Sequence, residues 1–404
     1  MSCSSPRPLI AIAPDSFKGA LDAADVAAAL AKGLKRALPR ARFRLIPMAD
    51  GGEGTVTAWA AATGAAQIRA RVQDPLGRRV TAVYARDDRR HVAMIEMAAA
   101  SGLPRLALHE RNPLITSTTG TGELIRHALD CGARTLLIGI GGSATNDGGV
   151  GMATALGARF FDRRGAELPP GGGALRRLHR IDLAGLDPRL ATLRVEAACD
   201  VSNPLCGSTG AAAVYGPQKG ATPVMVKQLD AGLAKLAAVA AEQNPAWRGL
   251  ATHPGAGAAG GLGFGLMAFC GATLRRGVEL VADAVGLERR LRGCDLVITG
   301  EGRLDSQTVN GKTPAGVAAV AKRLGIPVIA ICGCLGDGYE AVHAIGIDAV
   351  FPIAHGFFDP ARPAIGAAAR IAACAEEVGR LLAYGAFKSC FGAVNQSRRR
   401  LHEI

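Results

Sequence analysis

The stretch "LLIGIGGSATNDGGVG", residues 136–151, decides how the chain is read. An apolar run gives way to six glycines in sixteen positions, interleaved with Ser143, Thr145, Asn146 and Asp147. A run of four to eight Ile, Leu and Val residues reads as a strand buried on both faces, the kind found in parallel sheets. Glycine costs roughly 0.5–1 kcal/mol of backbone entropy against alanine, so so bare a loop implies close approach to something. Backbone N–H groups crowded around an anion are one such use, with the short polar side chains adding fixed contacts.

The same grammar recurs along the 404 residues. "LIAIAPDSFKGAL", "RFRLIPMADGGEGT", "DLVITGEGRLDS", "PVIAICGC" and "DAVFPIAHG" each end a short apolar run in glycine or a small polar residue. Helix patterns such as "DAADVAAALAKGLKRAL" and "TPAGVAAVAKRLG" lie between them. That alternation predicts an α/β fold with a doubly wound, mostly parallel sheet. Residues 65–97 alternate apolar and charged side chains instead, as antiparallel strands with one wet face do. The expectation is a doubly wound domain (1–62, 112–152 and 288–384) interrupted by a second, mixed α/β domain (63–111 and 153–287). The active site is expected in the cleft between them, and residues 385–404 read as a basic tail. Such a length suits two cores better than one.

Composition narrows the function. The formal charge is +13, yet only nine of the 47 basic residues are lysine and aromatics make up 4%, so little stacking surface is offered to nucleic acid. An arginine-rich surface serves anionic small molecules as well. Ten cysteines without a CxxC pair read as reduced, buried thiols of a cytoplasmic protein. The apolar run before Pro14 is too short for a signal peptide. The uncharged stretch 253–274 is long enough to span a bilayer, but its seven glycines favour a loop running into a buried helix. No membrane or nucleic-acid partner is expected, and the chain is expected to be a monomer or homodimer.

The loops carry the chemistry. Gly139, Gly141 and Ala144 spell GxGxxA, and residues 255–260 spell GxGxxG. Neither sits in a strand–turn–helix context with a following acidic residue, so a nicotinamide or flavin oxidoreductase is the rival enzyme reading. "SQTVNGKT" (306–313) lacks the first glycine of a P-loop, but Lys312 beside Gly311, with Pro314 just inside a helix start, suits an anion. Lys18, Lys219 and Lys312, three of the nine lysines, fall in such loops and read as phosphate or carboxylate contacts. Asp15, Asp50, Glu53, Asp147, Asp200, Glu301 and Asp305 each lie at or just past a predicted strand end. Together they can hold Mg²⁺ against phosphate oxygens and supply a base for a hydroxyl nucleophile. The eight histidines show no HxH or HxxxH spacing and no GxSxG elbow occurs. A non-catalytic binder of anionic metabolites is the rival from another class.

Taken in order, "APDSFKGAL" (13–21), "PMADGGEGT" (47–55), "STTGTGELI" (117–125), "IGIGGSATNDGG" (138–149), "CDVSNPLCGSTGAAAVYGPQKGA" (199–221), "GAAGGLGFGL" (257–266) and "LVITGEGRLDSQTVNGKTPAGVA" (296–318) resemble the bacterial glycerate kinase family that is unrelated to P-loop kinases. The resemblance spans roughly residues 9 to 380. It implies a two-domain α/β enzyme of glycerate, glyoxylate or sugar-acid catabolism that phosphorylates D-glycerate with ATP, at the 2-hydroxyl. On that basis Gly141, Gly142, Ser143, Thr145, Asn146 and Lys312 are expected at the nucleotide, and Asp147, Glu301 and Asp305 at Mg²⁺. Asp15, Ser16, Arg303 and Asn203 are expected at the substrate. Asp200 is the expected general base, with Asp50 in reserve, and Lys18, like Ser16 and Arg303, is expected on the substrate carboxylate or the transferred phosphoryl group.

Overall fold

The computed structural model describes residues 7–354 and 366–384; the basic tail, 385–404, lies outside the described residues. The chain divides into two compact units. The first comprises residues 1–50, 57–62 and 281–404, and the second 51–56 and 63–280.

The first unit is built on a five-stranded parallel sheet in the order Ala349–Pro352, Val328–Cys332, Leu296–Thr299, Leu9–Ile12, Arg42–Leu45. All five are runs expected as buried parallel strands; Ile10, Ile12, Leu296, Ile298 and Ile331 form the core, while the edge strands Arg42–Leu45 and Ala349–Pro352 stay partly exposed. The helix Ala23–Ala37 starts where Asp22 accepts the N–H of Asp25 at 2.8 Å. It buries Val26, Leu30 and Leu34 and packs on the helix Ala367–Ala383. At the carboxyl edge, backbone pairing runs past the strands: Asp15 N–H donates to Gly300 C=O (2.8 Å) and Met48 N–H to Pro14 C=O (2.9 Å). Asp15, Asp50, Glu301 and Gly333 therefore leave the sheet from one edge, where ligands of parallel sheets bind. Gly300 is required there, because a Cβ would stand 1.8 Å from the Ile331 carbonyl oxygen.

The second unit holds a six-stranded mixed sheet, ordered Thr273–Arg275, Arg194–Ala198, Thr135–Gly139, Val92–Glu96, Arg79–Asp87, Ala66–Gln73. The antiparallel reading of 65–97 holds for its outer strands. The Thr135–Gly139 strand corrects the expected domain assignment. It pairs parallel with Val92–Glu96 on one side and Arg194–Ala198 on the other, which places 112–152 in this unit. Leu136 and Ile138 join one core with Leu124, Ile125, Val195 and Ala197. The stretch 253–274 contains the buried helix Ala258–Cys270, and no described helix is long and apolar enough to cross a membrane.

Candidate active site

A cavity of 440 Å³ opens at the carboxyl edge of the first unit's sheet. Asp15, Asp50, Glu301 and Asp305 line it together with Lys18, Arg303, Lys312 and Arg370. Asp15 comes off the Leu9–Ile12 strand and Glu301 off Leu296–Thr299, while Lys312 is the N-cap residue of the helix Thr313–Arg323 with Pro314 in its first turn. The helix start foreseen at "NGKT" is thus where it was expected.

The two innermost carboxylates are held by hydroxyls. Thr313 Oγ1 donates to Asp15 Oδ2 at 2.5 Å, and Ser16 N–H to Asp15 Oδ1 at 2.6 Å. Thr308 Oγ1 donates to Glu301 Oε1 at 2.7 Å. Burial and the charge of Asp50 push the Asp15 carboxyl up to about 6, against the Thr313 bond, the Ser16 amide and Lys18. Glu301 is pushed up to about 7 by burial and by the Asp15 charge, against Thr308 and Lys312. Lys312 Nζ lies 3.5 Å from Glu301 Oε2 and 3.2 Å from Asp305 Oδ1. Burial pushes the Asp305 carboxyl up, but Lys312, the Gln307 N–H and Arg303 together carry it below its ordinary value. Arg303, largely exposed, pairs with Asp305 at 3.5 Å. A site of this composition can bind a multiply charged anion while keeping a carboxylate ready to accept a proton near neutrality.

The second unit organises its polar residues differently. Asp147 is fully enclosed and its carboxylate is taken up by protein donors. Thr118 N–H (2.8 Å) and Oγ1 (2.9 Å), Gly151 N–H (3.2 Å), Ser117 Oγ (3.4 Å) and, on the other oxygen, Gly149 N–H (3.2 Å) all donate to it. Burial still raises its pKa against those bonds. The carboxylate expected to share a metal with Glu301 and Asp305 thus fastens the loop to residues 117–118, and it belongs to the other unit. Lys219, expected as a phosphate or carboxylate contact, is also fully buried, with Nζ 2.6 Å from both Ser143 Oγ and the Thr145 carbonyl. Gly141 and Gly142 form the exposed apex of the loop.

Asp200 is exposed, and its Oδ1 accepts the Gly277 N–H at 2.9 Å at the start of the helix Gly277–Val285. Asn203 uses both ends of its amide internally, donating to the Thr209 carbonyl (2.7 Å) and accepting from Tyr215 (2.6 Å). The expected carboxylates therefore divide: four line the first unit's cavity, while Glu53, Asp147 and Asp200 belong to the second unit. Sequence reading missed Thr308 and Arg370. The first carried no signal beyond lying inside the "SQTVNGKT" loop, and Arg370 sits in an alanine-rich helix with no motif around it.

Mg²⁺ can be tested against these donors. Among the described residues no three His, Cys, Asp or Glu side chains converge as a metal site. Mg²⁺ needs no such cage, since it binds through one or two carboxylates and retains waters and phosphate oxygens. Glu301 and Asp305, both facing the Lys312 ammonium, fit that demand.

Comparison with known proteins gives a consistent picture. The family model described as "Glycerate kinase family" matches residues 10–383. The chain is 51% identical to the "Glycerate 2-kinase" of Escherichia coli over 344 residues, 85% of this chain and 90% of that protein. It is 52% identical to the "Glycerate kinase" of Halalkalibacterium halodurans, over the same shares of each chain. A crystal structure of a Salmonella typhimurium LT2 protein, named there as a glycerate kinase 2, superimposes with a TM-score of 0.87 at 48% identity. It covers 94% of this chain and 99% of that one.

Proposed function

Since the chain belongs to the glycerate kinase family and is an enzyme of that activity, we propose that it transfers the γ-phosphoryl group of ATP to the 2-hydroxyl of D-glycerate, giving 2-phosphoglycerate and ADP. The observation that carries the site assignment is the cavity of the first unit. There two buried carboxylates with raised pKa values stand among four cationic side chains.

Phosphoryl transfer asks the protein mainly for positioning and charge neutralisation. Lys18, Arg303 and Arg370 supply charge for the glycerate carboxylate and the transferred group, with Ser16 beside them. Asp15 is the proposed base in place of Asp200. It lines the cavity and its pKa of about 6 suits proton acceptance near neutral pH, whereas Asp200 is an exposed helix cap. As the hydroxyl oxygen bonds to the γ-phosphorus and ADP departs, the hydroxyl proton passes to Asp15. Asp50 adds charge that keeps Asp15 basic. Glu301 and Asp305 would hold Mg²⁺, which when bound neutralises phosphate oxygens. Within the first unit Lys312 is assigned to a phosphate group, and within the second the loop of Gly141, Gly142, Ser143, Thr145 and Asn146 is assigned to nucleotide phosphates. All eight described cysteines are free thiols, which supports a reducing, cytoplasmic setting.

Phosphorus NMR of the purified protein with Mg²⁺–ATP and D-glycerate tests the reading. ADP with 2-phosphoglycerate is the expected outcome; 3-phosphoglycerate would overturn the position, and no product from folded protein would overturn the reaction.

A further inference from the structure

The glycine-rich loop between the Thr135–Gly139 strand and the helix Val150–Ala155 is tied down almost atom by atom. Leu103 N–H donates to Gly142 C=O (2.9 Å), Ala144 N–H to Ser101 C=O (3.0 Å) and Gly148 N–H to Gly260 C=O (3.0 Å). Thr116 Oγ1 donates to Ala144 C=O at 2.9 Å, and Asp147 gathers the five donors described above. Gly260 closes over this region at φ +70°, where a Cβ would stand 1.9 Å from the Thr145 carbonyl oxygen. Within so well-paired a loop three neighbouring atoms stand out. Thr145 Oγ1, Asn146 Nδ2 and Asn146 Oδ1 are buried and have no hydrogen-bond partner. Leaving each of them unsatisfied costs about 1–3 kcal/mol, so this part of the loop depends on other ties to keep its shape.

One side chain holds the segment that carries them. The Lys219 ammonium reaches in from the turn Pro217–Lys219 and donates to Ser143 Oγ and to the Thr145 carbonyl, both at 2.6 Å. These are short, charge-assisted bonds to two residues flanking Ala144, and they pin the stretch between the exposed apex at Gly141–Gly142 and the unspent atoms of Thr145 and Asn146. Burial pulls the Lys219 ammonium down to about 7, and the charge of Asp147 acts against that shift. A lysine so enclosed cannot itself meet a phosphate.

We propose that Lys219 is the positioning residue of the glycine-rich loop: through Ser143 and Thr145 it holds the loop backbone so that its exposed Gly141–Gly142 apex stands in the geometry that receives the nucleotide phosphates. This rests on the assignment of the loop to the nucleotide.

Lys219→Met keeps the side-chain length and removes the donors. Amide hydrogen exchange of the substrate-free protein, read over residues 140–149, tests the tie without reference to any reaction; exchange at Ala144, Thr145 and Asn146 is expected to rise at least about fivefold. In steady-state assays of the same variant, KM for Mg²⁺–ATP is expected to rise roughly tenfold or more, as loss of a charged hydrogen bond implies, with KM for D-glycerate within twofold. Unchanged exchange overturns the proposal. So does raised exchange with an unchanged KM for Mg²⁺–ATP, or an equal rise in both KM values, which is what general loosening would give. If the Met variant does not fold, Ser143→Ala removes one of the two acceptors while leaving the ammonium on Thr145. A smaller rise in exchange and in the nucleotide KM is then expected, and no change in either overturns the proposal. Absence of Mg²⁺–ATP-dependent turnover in the unmodified enzyme would instead remove the nucleotide assignment, and the exchange measurement would still decide whether Lys219 holds the loop.

Discussion

Asp15→Asn should make the ligand-free protein more stable above neutral pH, and the size of the gain follows from the site. The Asp15 carboxyl titrates near 3.8 in the absence of its surroundings and at about 6 in the fold, because burial and Asp50 disfavour its charge. Between those values the native state binds more protons than the unfolded state, so stability falls as pH rises through the window and is flat above it. Integrating a single site with these two values gives a native-state penalty of about 0.6 kcal/mol at pH 4 and about 3 kcal/mol at pH 8. Asparagine carries no charge, and the Thr313 hydroxyl, which now donates to Asp15 Oδ2, can accept from the amide instead. Removing the Asp15 charge also relieves Glu301, whose own upward shift it contributes to. Urea unfolding of both proteins in EDTA at pH 4 and pH 8 measures the difference. The variant's advantage should grow by about 2 kcal/mol across that range, while its kcat falls by roughly 10²–10⁴ as expected for loss of a base. An advantage independent of pH would show that Asp15 is not a strained buried charge. A kcat within a few fold of the original would remove it from the proton transfer.

Further outcomes follow from neighbouring contacts. Lys312→Met removes the cation that holds Glu301 down, so the acidic limb of the kcat/KM pH profile should move upward; an unmoved limb would show that Glu301 does not govern it. Asp200→Ala should remove an acceptor at a helix start, costing about 1 kcal/mol in thermal unfolding, and leave kcat within a few fold, whereas a loss of 10²-fold or more would restore Asp200 as the base. Asp147→Asn should lower the unfolding free energy by about 2–4 kcal/mol with Mg²⁺ affinity within twofold. Selective loss of Mg²⁺ affinity at unchanged stability would return Asp147 to the metal site. Gly260→Ala should destabilise by at least about 3 kcal/mol in chemical denaturation, since its Cβ would overlap the Thr145 carbonyl at a left-handed φ; a neutral effect would mean that the approach is looser than it stands here.

What the sequence discloses of this molecule is what lies within reach of one strand end. "DLVITGE" shows a buried run and a carboxylate two residues past it, and both are where the pattern put them. Pro314 after Lys312 marks a helix start because proline's fixed φ acts on its own turn. The limit appears wherever a residue's role depends on what packs against it. Leu136–Gly139 reads as a doubly buried strand in either sheet, since an apolar run carries no address; its parallel neighbours, Val92–Glu96 and Arg194–Ala198, lie some forty and sixty residues away along the chain. Asp147 and Glu301 look alike in sequence, each an acidic residue flanked by glycine after a strand. What separates them is that Thr118, twenty-nine residues upstream, saturates one, while Thr308 leaves the other partly charged against Lys312. Asp15 and Thr313 are 298 residues apart and meet at 2.5 Å. Lys219 is the sharpest instance. A lysine among glycines reads as a phosphate or carboxylate contact because an ammonium is costly to bury, and only the Ser143 hydroxyl and the Thr145 carbonyl, more than seventy residues before it, make the interior habitable. A buried charge is thus specified by its acceptors and not by its own neighbours in the chain, which is why the chemistry of the first unit was legible and the internal tie of the second was not.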